Sequence, residues 1–212
     1  MFKALATGTA LLAALAGAAS PASASPAPTP RNQMTINVVA ANGSGCPWRS
    51  AQVLPSRDNR SFTVTYSRFT AQVGVGAQPM DARKNCQLAL DVRVPQGFTY
   101  AISRTDYRGF AHLERGAYAS LSAFTYFQGE SRTDLSRYTF SGPMDANWQR
   151  SRAVGIKALS FRPCGDQRYL NVNNELRVFG GSSKVRKTTS SLTMDSTDGR
   201  LDTVYHVSWK KC

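Results

Sequence analysis

The 212-residue chain has only two histidines, His112 and His206, which excludes any catalytic or metal scheme that needs three. Cysteine is scarce as well. Four are too few for a disulfide-dense miniprotein and allow at most two bridges. No C-x-x-C or His-x-x-His spacing occurs, so neither a metal site nor a cofactor is expected. No G-x-S-x-G elbow is present, and helices do not alternate with strands, which excludes an α/β-hydrolase. No internal repeat is found. Acidic residues are few: Asp plus Glu is 13 against 26 for Lys plus Arg, a formal net charge of +13. Beyond the N-terminus no stretch approaches the roughly 18 apolar residues of a membrane-crossing helix.

The N-terminus itself reads as an export signal. Lys3 supplies a positive start, and residues 4–19 form an uncharged, Ala/Leu-rich stretch that falls short of a membrane span. Ala22-Ser23-Ala24 matches a small-x-small cleavage pattern, so residues 1–24 are expected to be a signal peptide. Residues 25–33 begin with Ser25-Pro26-Ala27-Pro28-Thr29-Pro30 and read as an extended Pro-rich tether that does not pack on the domain. The remainder, 34–212, is expected to be one domain, secreted and extracellular. Removing Lys3 lowers the charge to +12.

Export fixes the reading of Cys46, Cys86, Cys164 and Cys212, because an oxidising compartment favours two disulfides. Three pairings are open. Cys46–Cys86 with Cys164–Cys212 is favoured, since each bridge then closes a modest loop within one half of the chain.

What the chain has in abundance is period-two alternation. Leu88, Leu90, Val92 and Val94 share one parity, against Gln87, Asp91 and Arg93. Phe62-Thr63-Val64-Thr65-Tyr66 alternates in the same way, as do Phe98, Tyr100 and Ile102. Val154, Ile156 and Ala158, with Leu159 and Phe161 off by one, form another row. Leu170, Val172, Leu176 and Val178 follow, and Tyr205, Val207 and Trp209 close the chain. Turn chemistry separates the runs at Pro95-Gln96-Gly97, Gly142-Pro143, Gly180-Gly181 and Asp198-Gly199. About ten short strands imply an all-β fold of two antiparallel sheets, a sandwich or jelly roll. The basic stretch 182–191 reads as a mobile loop.

Several segments carry a family resemblance. They include Asn42-Gly43-Ser44-Gly45-Cys46-Pro47, Arg83-Lys84-Asn85-Cys86-Gln87, Asp106-Tyr107-Arg108-Gly109-Phe110 and Tyr126-Phe127-Gln128-Gly129. Pro163-Cys164-Gly165, Leu170-Asn171-Val172-Asn173 and the terminal Trp209-Lys210-Lys211-Cys212 continue the series. Together they span roughly residues 35–212. The chain resembles a family of small secreted proteins from bacteria and filamentous fungi, described as a domain of unknown function. The resemblance implies an exported, disulfide-bonded β domain. It brings no established activity, so no functional residue is carried over from it.

The binding candidates are Tyr169, Asn171, Asn173, Glu175 and Arg177, which share one parity opposite an apolar row. On a strand they project together as a ladder of phenol, amide, carboxylate and guanidinium groups. Such a set can hydrogen-bond sugar hydroxyls while a ring packs on the sugar's apolar face. The plainer reading is the solvated outer face of a sandwich. Asn174 shares the parity of the apolar row and is expected to mark a bulge. Arg108, Phe110, His112 and Glu114 form a second patch if Gly109 inserts no bulge. His206 reads as a surface residue.

Among enzymatic schemes, paired carboxylates fit a β-sandwich best. Glu114, Glu130 and Glu175 are the only glutamates, with Asp91 and Asp106 as partners. Asp195-Ser196-Thr197-Asp198-Gly199 does not match an EF-hand loop and reads as a turn. Of the 26 basic residues 19 are Arg, spread along the chain. Acidic cell-surface polymers are therefore possible partners; no nucleic-acid module is present. Asn42 and Asn59 head glycosylation sequons. The leading expectation is a non-enzymatic binding domain for polysaccharide or a cell-surface polymer. The alternatives are a two-carboxylate carbohydrate hydrolase and a secreted structural protein.

Overall fold

A computed structural model describes residues 28–131, 134–194 and 202–212. The expected signal peptide, the first residues of the tether and the Asp195-to-Gly199 turn lie outside the described residues. Twelve strands follow one another among those described: β1 (Thr35–Asn42), β2 (Ala51–Pro55), β3 (Ser61–Tyr66), β4 (Thr70–Gly74), β5 (Arg83–Arg93), β6 (Phe98–Leu113), β7 (Tyr118–Phe127), β8 (Asp134–Ser141), β9 (Met144–Ala153), β10 (Leu170–Phe179), β11 (Thr189–Thr193) and β12 (Thr203–Lys211). The first sheet runs β1-β5-β10-β7-β8. The second runs β2-β3-β12-β6-β11-β4, with β9 added on β6. Every strand pair is antiparallel. This is the expected all-β sandwich.

The alternating rows explain why. Leu88, Leu90, Val92, Leu170, Val172, Leu176 and Val178 point inward from the first sheet and are buried. Phe62, Val64, Tyr66, Tyr205, Val207 and Trp209 meet them from the second. Val94, at the end of its row, is only partly buried. Tyr205 stacks on Phe62, and Tyr100 lies edge-on to Phe127 across the core. Such geometries add to the area that aromatic rings bury. Trp209 is also buried, and its indole N–H donates to the Asn59 carbonyl at 2.8 Å.

Both favoured disulfides are present. Cys46–Cys86 ties the loop after β1 to β5, with Cα atoms 5.2 Å apart. Cys164–Cys212 ties the segment before β10 to the end of β12, at 5.7 Å. No helix among the described residues is long and apolar enough to cross a membrane.

Strand β6 shows how one residue redirects a face. Tyr100 and Ile102 turn toward the core on even numbers. Ser103 is then skipped in the pairing with β12, where His206 faces Arg104 and Val207 faces Ile102. A one-residue bulge exchanges the faces. Beyond it Thr105, Tyr107, Ala111 and Leu113 are buried, while Arg104, Arg108, Phe110 and His112 share the other side. The register against β9 runs unbroken through Gly109. A Cβ at Gly109 would sit 2.3 Å from the Trp148 indole and 2.0 Å from the Thr193 carbonyl, so glycine is what lets that ring come this close to β6.

Four expectations need correction. Val154, Ile156 and Ala158 do not form a strand. Residues Ile156–Ala158 are a short 3-10 turn, and Ile156 is 87% exposed. Asn174 marks no bulge, since β10 keeps continuous register with β5 and β7 through it. It is buried, and its amide donates to the Tyr66 hydroxyl at 2.8 Å, bridging the two sheets inside the core. The loop at 182–191 ends in structure, because β11 already begins at Thr189. Finally, the tether is fastened at its C-terminal end. Pro30 is buried, and the Asn59 amide donates to the Asn32 carbonyl at 3.0 Å. Asn59 is therefore committed and only 3% exposed, which leaves Asn42, on an exposed strand end, as the accessible sequon.

Candidate binding face on the first sheet

The polar ladder lies on the outer face of the first sheet. Asn171, Asn173, Glu175 and Arg177 alternate along β10 with the buried row. Tyr169 stands just before the strand, 37% exposed, and its carbonyl accepts from the Gln128 N–H at 2.9 Å. Strand alternation puts all five on one side. β10 occupies the middle of the sheet, so flanking strands widen the face. Across one edge Asn173 faces Gln87, Glu175 faces Asn85 and Arg177 faces Arg83. Across the other, Asn171 faces Tyr126, Asn173 faces Phe124, and Glu175 and Arg177 face Ser122 and Ser120.

Charge is concentrated at one point of this face. Glu175 Oε1 accepts from Arg177 Nε at 2.5 Å, and Oε2 accepts from Arg83 Nε at 2.6 Å. Partial burial pushes the Glu175 carboxyl up. Hydrogen bonds and charge from Arg177, then Arg83, outweigh burial and hold it below the usual carboxylate range. The amides of Asn171 and Asn173 stay neutral beside it. Farther along, Tyr118 and Phe179 stack at 4.7 Å with planes 13° apart and are 47% and 37% exposed. From Tyr169 to Phe179 the face spans ten strand steps, about 33 Å.

Arg83 is the residue the sequence did not single out. Its signal was the parity of Gln87, Asp91 and Arg93, which continues back to Asn85 and Arg83. Nothing local indicated that β5 pairs with β10. Tyr118, Ser120, Ser122, Phe124 and Tyr126 were missed for the same reason.

The remaining candidates do not converge with the ladder. On the outer face of the second sheet, Asp106 Oδ1 accepts from Ser151 Oγ at 2.5 Å and from Arg104 Nε at 2.8 Å, while Oδ2 contacts His206 Nε2 at 2.7 Å. His206 is thus a half-buried partner of Asp106. Burial raises the Asp106 carboxyl, but bonds from Ser151, Arg104 and His206 together bring it below its ordinary range. These three residue types do not make a nucleophilic relay, because the serine bonds the carboxylate and the imidazole does not stand between them. His112 Nδ1 lies 3.0 Å from Asp145 Oδ1, and its Nε2 lies 3.8 Å from Glu114. Asp91 pairs with Arg93, and Glu130 accepts from Ser160 at 2.8 Å. Among the described residues no three His, Cys, Asp or Glu side chains gather as metal ligands.

Fold and site define an exported, disulfide-bonded β-sandwich with a broad polar and aromatic sheet face. The chain belongs to the family described as Domain of unknown function (DUF4360), whose model matches residues 32–212. It is similar to an uncharacterized secreted protein of Arthroderma benhamiae, 31% identical over 186 residues, which cover 88% of this chain and 74% of that protein. A secreted relative and two disulfides agree: this is a secreted protein. Among solved structures it matches the enzymatically active domain of bacteriophage CBA120 tailspike protein 4, at 12% identity and a TM-score of 0.25. That match covers 85% of this chain but 20% of the tailspike chain, and likeness at this level carries no functional weight.

Proposed function

We propose that the protein is an extracellular binding domain for polysaccharide and that the outer face of the first sheet is its working surface. The observation that carries this is the make-up of the face. Neutral amides and hydroxyls from three adjacent strands share one face of the sheet with exposed rings at either end, at Tyr169 and at Tyr118–Phe179. A broad array of donors and acceptors suits a chain of hydroxyl-bearing rings, and aromatic faces take the apolar sides of those rings. Glu175 argues against hydrolysis at the same place. Glycoside cleavage needs a second carboxyl across the scissile bond and, in one of the pair, a raised pKa. Glu175 has guanidinium groups on both oxygens and a lowered pKa.

The test is a glycan array and a hydrolysis screen on the same purified protein, repeated with Glu175→Gln. A binding module retains glycan in both forms and releases no reducing ends. Turnover that falls by orders of magnitude in Glu175→Gln, with binding kept, would overturn the reading in favour of a hydrolase.

A further inference from the structure

Arg162, in the segment between β9 and β10, is the one buried basic side chain among the described residues, at 8% exposure. Its position is fixed on several sides. The Arg162 N–H donates to the Tyr100 carbonyl at 3.0 Å, and the Arg162 carbonyl accepts from Thr99 Oγ1 at 2.5 Å. Nη1 donates to the Val92 carbonyl at 3.0 Å, just past the point where β10 begins opposite Leu90. The guanidinium lies over the Tyr100 ring, 5.5 Å from its centroid. Two residues on, the Cys164–Cys212 bridge anchors the segment. These contacts hold the group and leave its charge unpaired. Nε is fully buried with no partner, and among the described residues Nη2 has none either. Arginine keeps its proton throughout the physiological range, so a full positive charge stands here largely out of water. Burying a charge is costly unless an opposite charge meets it.

Arg162 lines a pocket of about 420 Å³ where the β5–β6 turn, the segment before β10 and the end of β12 meet. Val94, Pro95 and Phe98 give the pocket apolar surface, and Gln96 and Gln167 bring amides. The other side-chain charges around it are already paired. Arg93 meets Asp91 at 3.0 Å, and Asp166 accepts from Arg168 Nε and Nη2 at 3.1 and 3.0 Å. Neither Asp166 nor the Cys212 carboxylate forms an ion pair with Arg162. What selects an anion is therefore one buried cation rather than a count of charges. We propose that this pocket is a second binding site for a small organic acid whose carboxylate meets Arg162. It shares no residue with the polar ladder. The carboxylate accepts from Nη2, and the body of the acid lies against Val94, Pro95 and Phe98. A guanidinium hydrogen-bonds a carboxylate through charge-assisted contacts, which are stronger than neutral ones. The pocket volume lies within the range of roughly 300–1,000 Å³ typical of small-molecule sites, so it holds a body as well as the anionic group.

The probe is benzoate, with benzamide as its neutral isostere and inorganic phosphate as a bare anion. Each is titrated into the secreted protein and followed by amide and arginine side-chain NMR shifts and by calorimetry. Benzoate should bind saturably, with shifts centred on Gly97, Arg162, Gly165 and Gln167. Benzamide, which lacks the charge, and phosphate, which lacks the body, should each bind about tenfold more weakly or worse. Gln167→Glu sets a competing carboxylate on the pocket wall at an exposed position and should weaken benzoate about fivefold. Arg162→Gln keeps a donor for the Val92 carbonyl, removes the charge and should abolish binding. A thermal melt beside the parent shows whether each variant is folded; if Arg162→Gln is not, benzamide and Gln167→Glu decide. Absence of saturable shifts, shifts centred elsewhere, equal binding of benzamide or phosphate, or a folded variant that binds benzoate like the parent would each overturn the proposal.

Discussion

Strand β10 turns Asn174 inward and Asn171 and Asn173 outward, and the same side chain meets two different environments. Inside, Asn174 sits in a row of Leu and Val and spends its amide on Tyr66 of the opposite sheet. Burial there raises the Tyr66 and Tyr205 phenols, which therefore stay neutral and able to donate. Outside, Asn171 and Asn173 stand half-exposed between Ala89 and Gln87 on one side and Tyr126 and Phe124 on the other. A polar group committed inside the core contributes to stability. The same group facing water is available to a ligand. The inner face of β10 should therefore respond to substitution through stability, and the outer face through binding.

The sharpest contrast comes from Leu176, fully buried on the inner face. Leu176→Ala should cost about 2–5 kcal/mol, measured by chemical denaturation, through lost burial and the cavity left behind. Next is Asn174→Ala, which strands the Tyr66 hydroxyl in the core and should cost about 1–3 kcal/mol. Values within error of the parent for both would erase the distinction between the faces. On the outer side, Glu175→Gln should cost only about 0.2–1 kcal/mol, because its arginine partners are largely in water.

The same group has a pH signature. The Glu175 carboxyl is held lower in the folded chain than in the unfolded one. Its contribution is therefore present above the unfolded value, about 4, and is lost as pH falls through the folded value. Melts recorded from pH 5 downward should show the Glu175→Gln variant converging on the parent as acid is added. A gap that widens in acid would contradict the lowered pKa. The smallest stability effect should be that of Asn171→Ala with Asn173→Ala, within about 0.5 kcal/mol.

The alternation of β5, β10 and β12 was legible because one face of each is apolar and the other polar, and period two is all a strand needs to declare itself. Strand β9 was not. Met144-Asp145-Ala146-Asn147 and Gln149-Arg150-Ser151 carry no apolar row; among the described residues β9 pairs only with β6, and of its own residues only Trp148 is buried. The row at Val154, Ile156 and Ala158 had the right period without a partner strand, so it became a turn. The face exchange in β6 hinged on Ser103, whose bulge depends on β12 a hundred residues away. Of the site, the ladder could be read from parity on one strand. Arg83 and the aromatic flank could not, because they arrive through pairing between strands distant in the chain. Asn174 looked like a break in the pattern because its partner, Tyr66, lies 108 residues away.

The central claim is that the outer face of the first sheet binds glycan. Affinity electrophoresis of the parent and of the triple variant Asn171→Ala, Asn173→Ala, Glu175→Gln, through gels containing soluble β-glucan, glycol chitin or polygalacturonate, tests it directly. The parent should be retarded by at least one of these polymers, and the triple variant, with a melt close to the parent's, should migrate as it does without polymer. Equal retardation of the two proteins, or no retardation of the parent by any of the three, would contradict the claim and leave this face a solvated sheet surface.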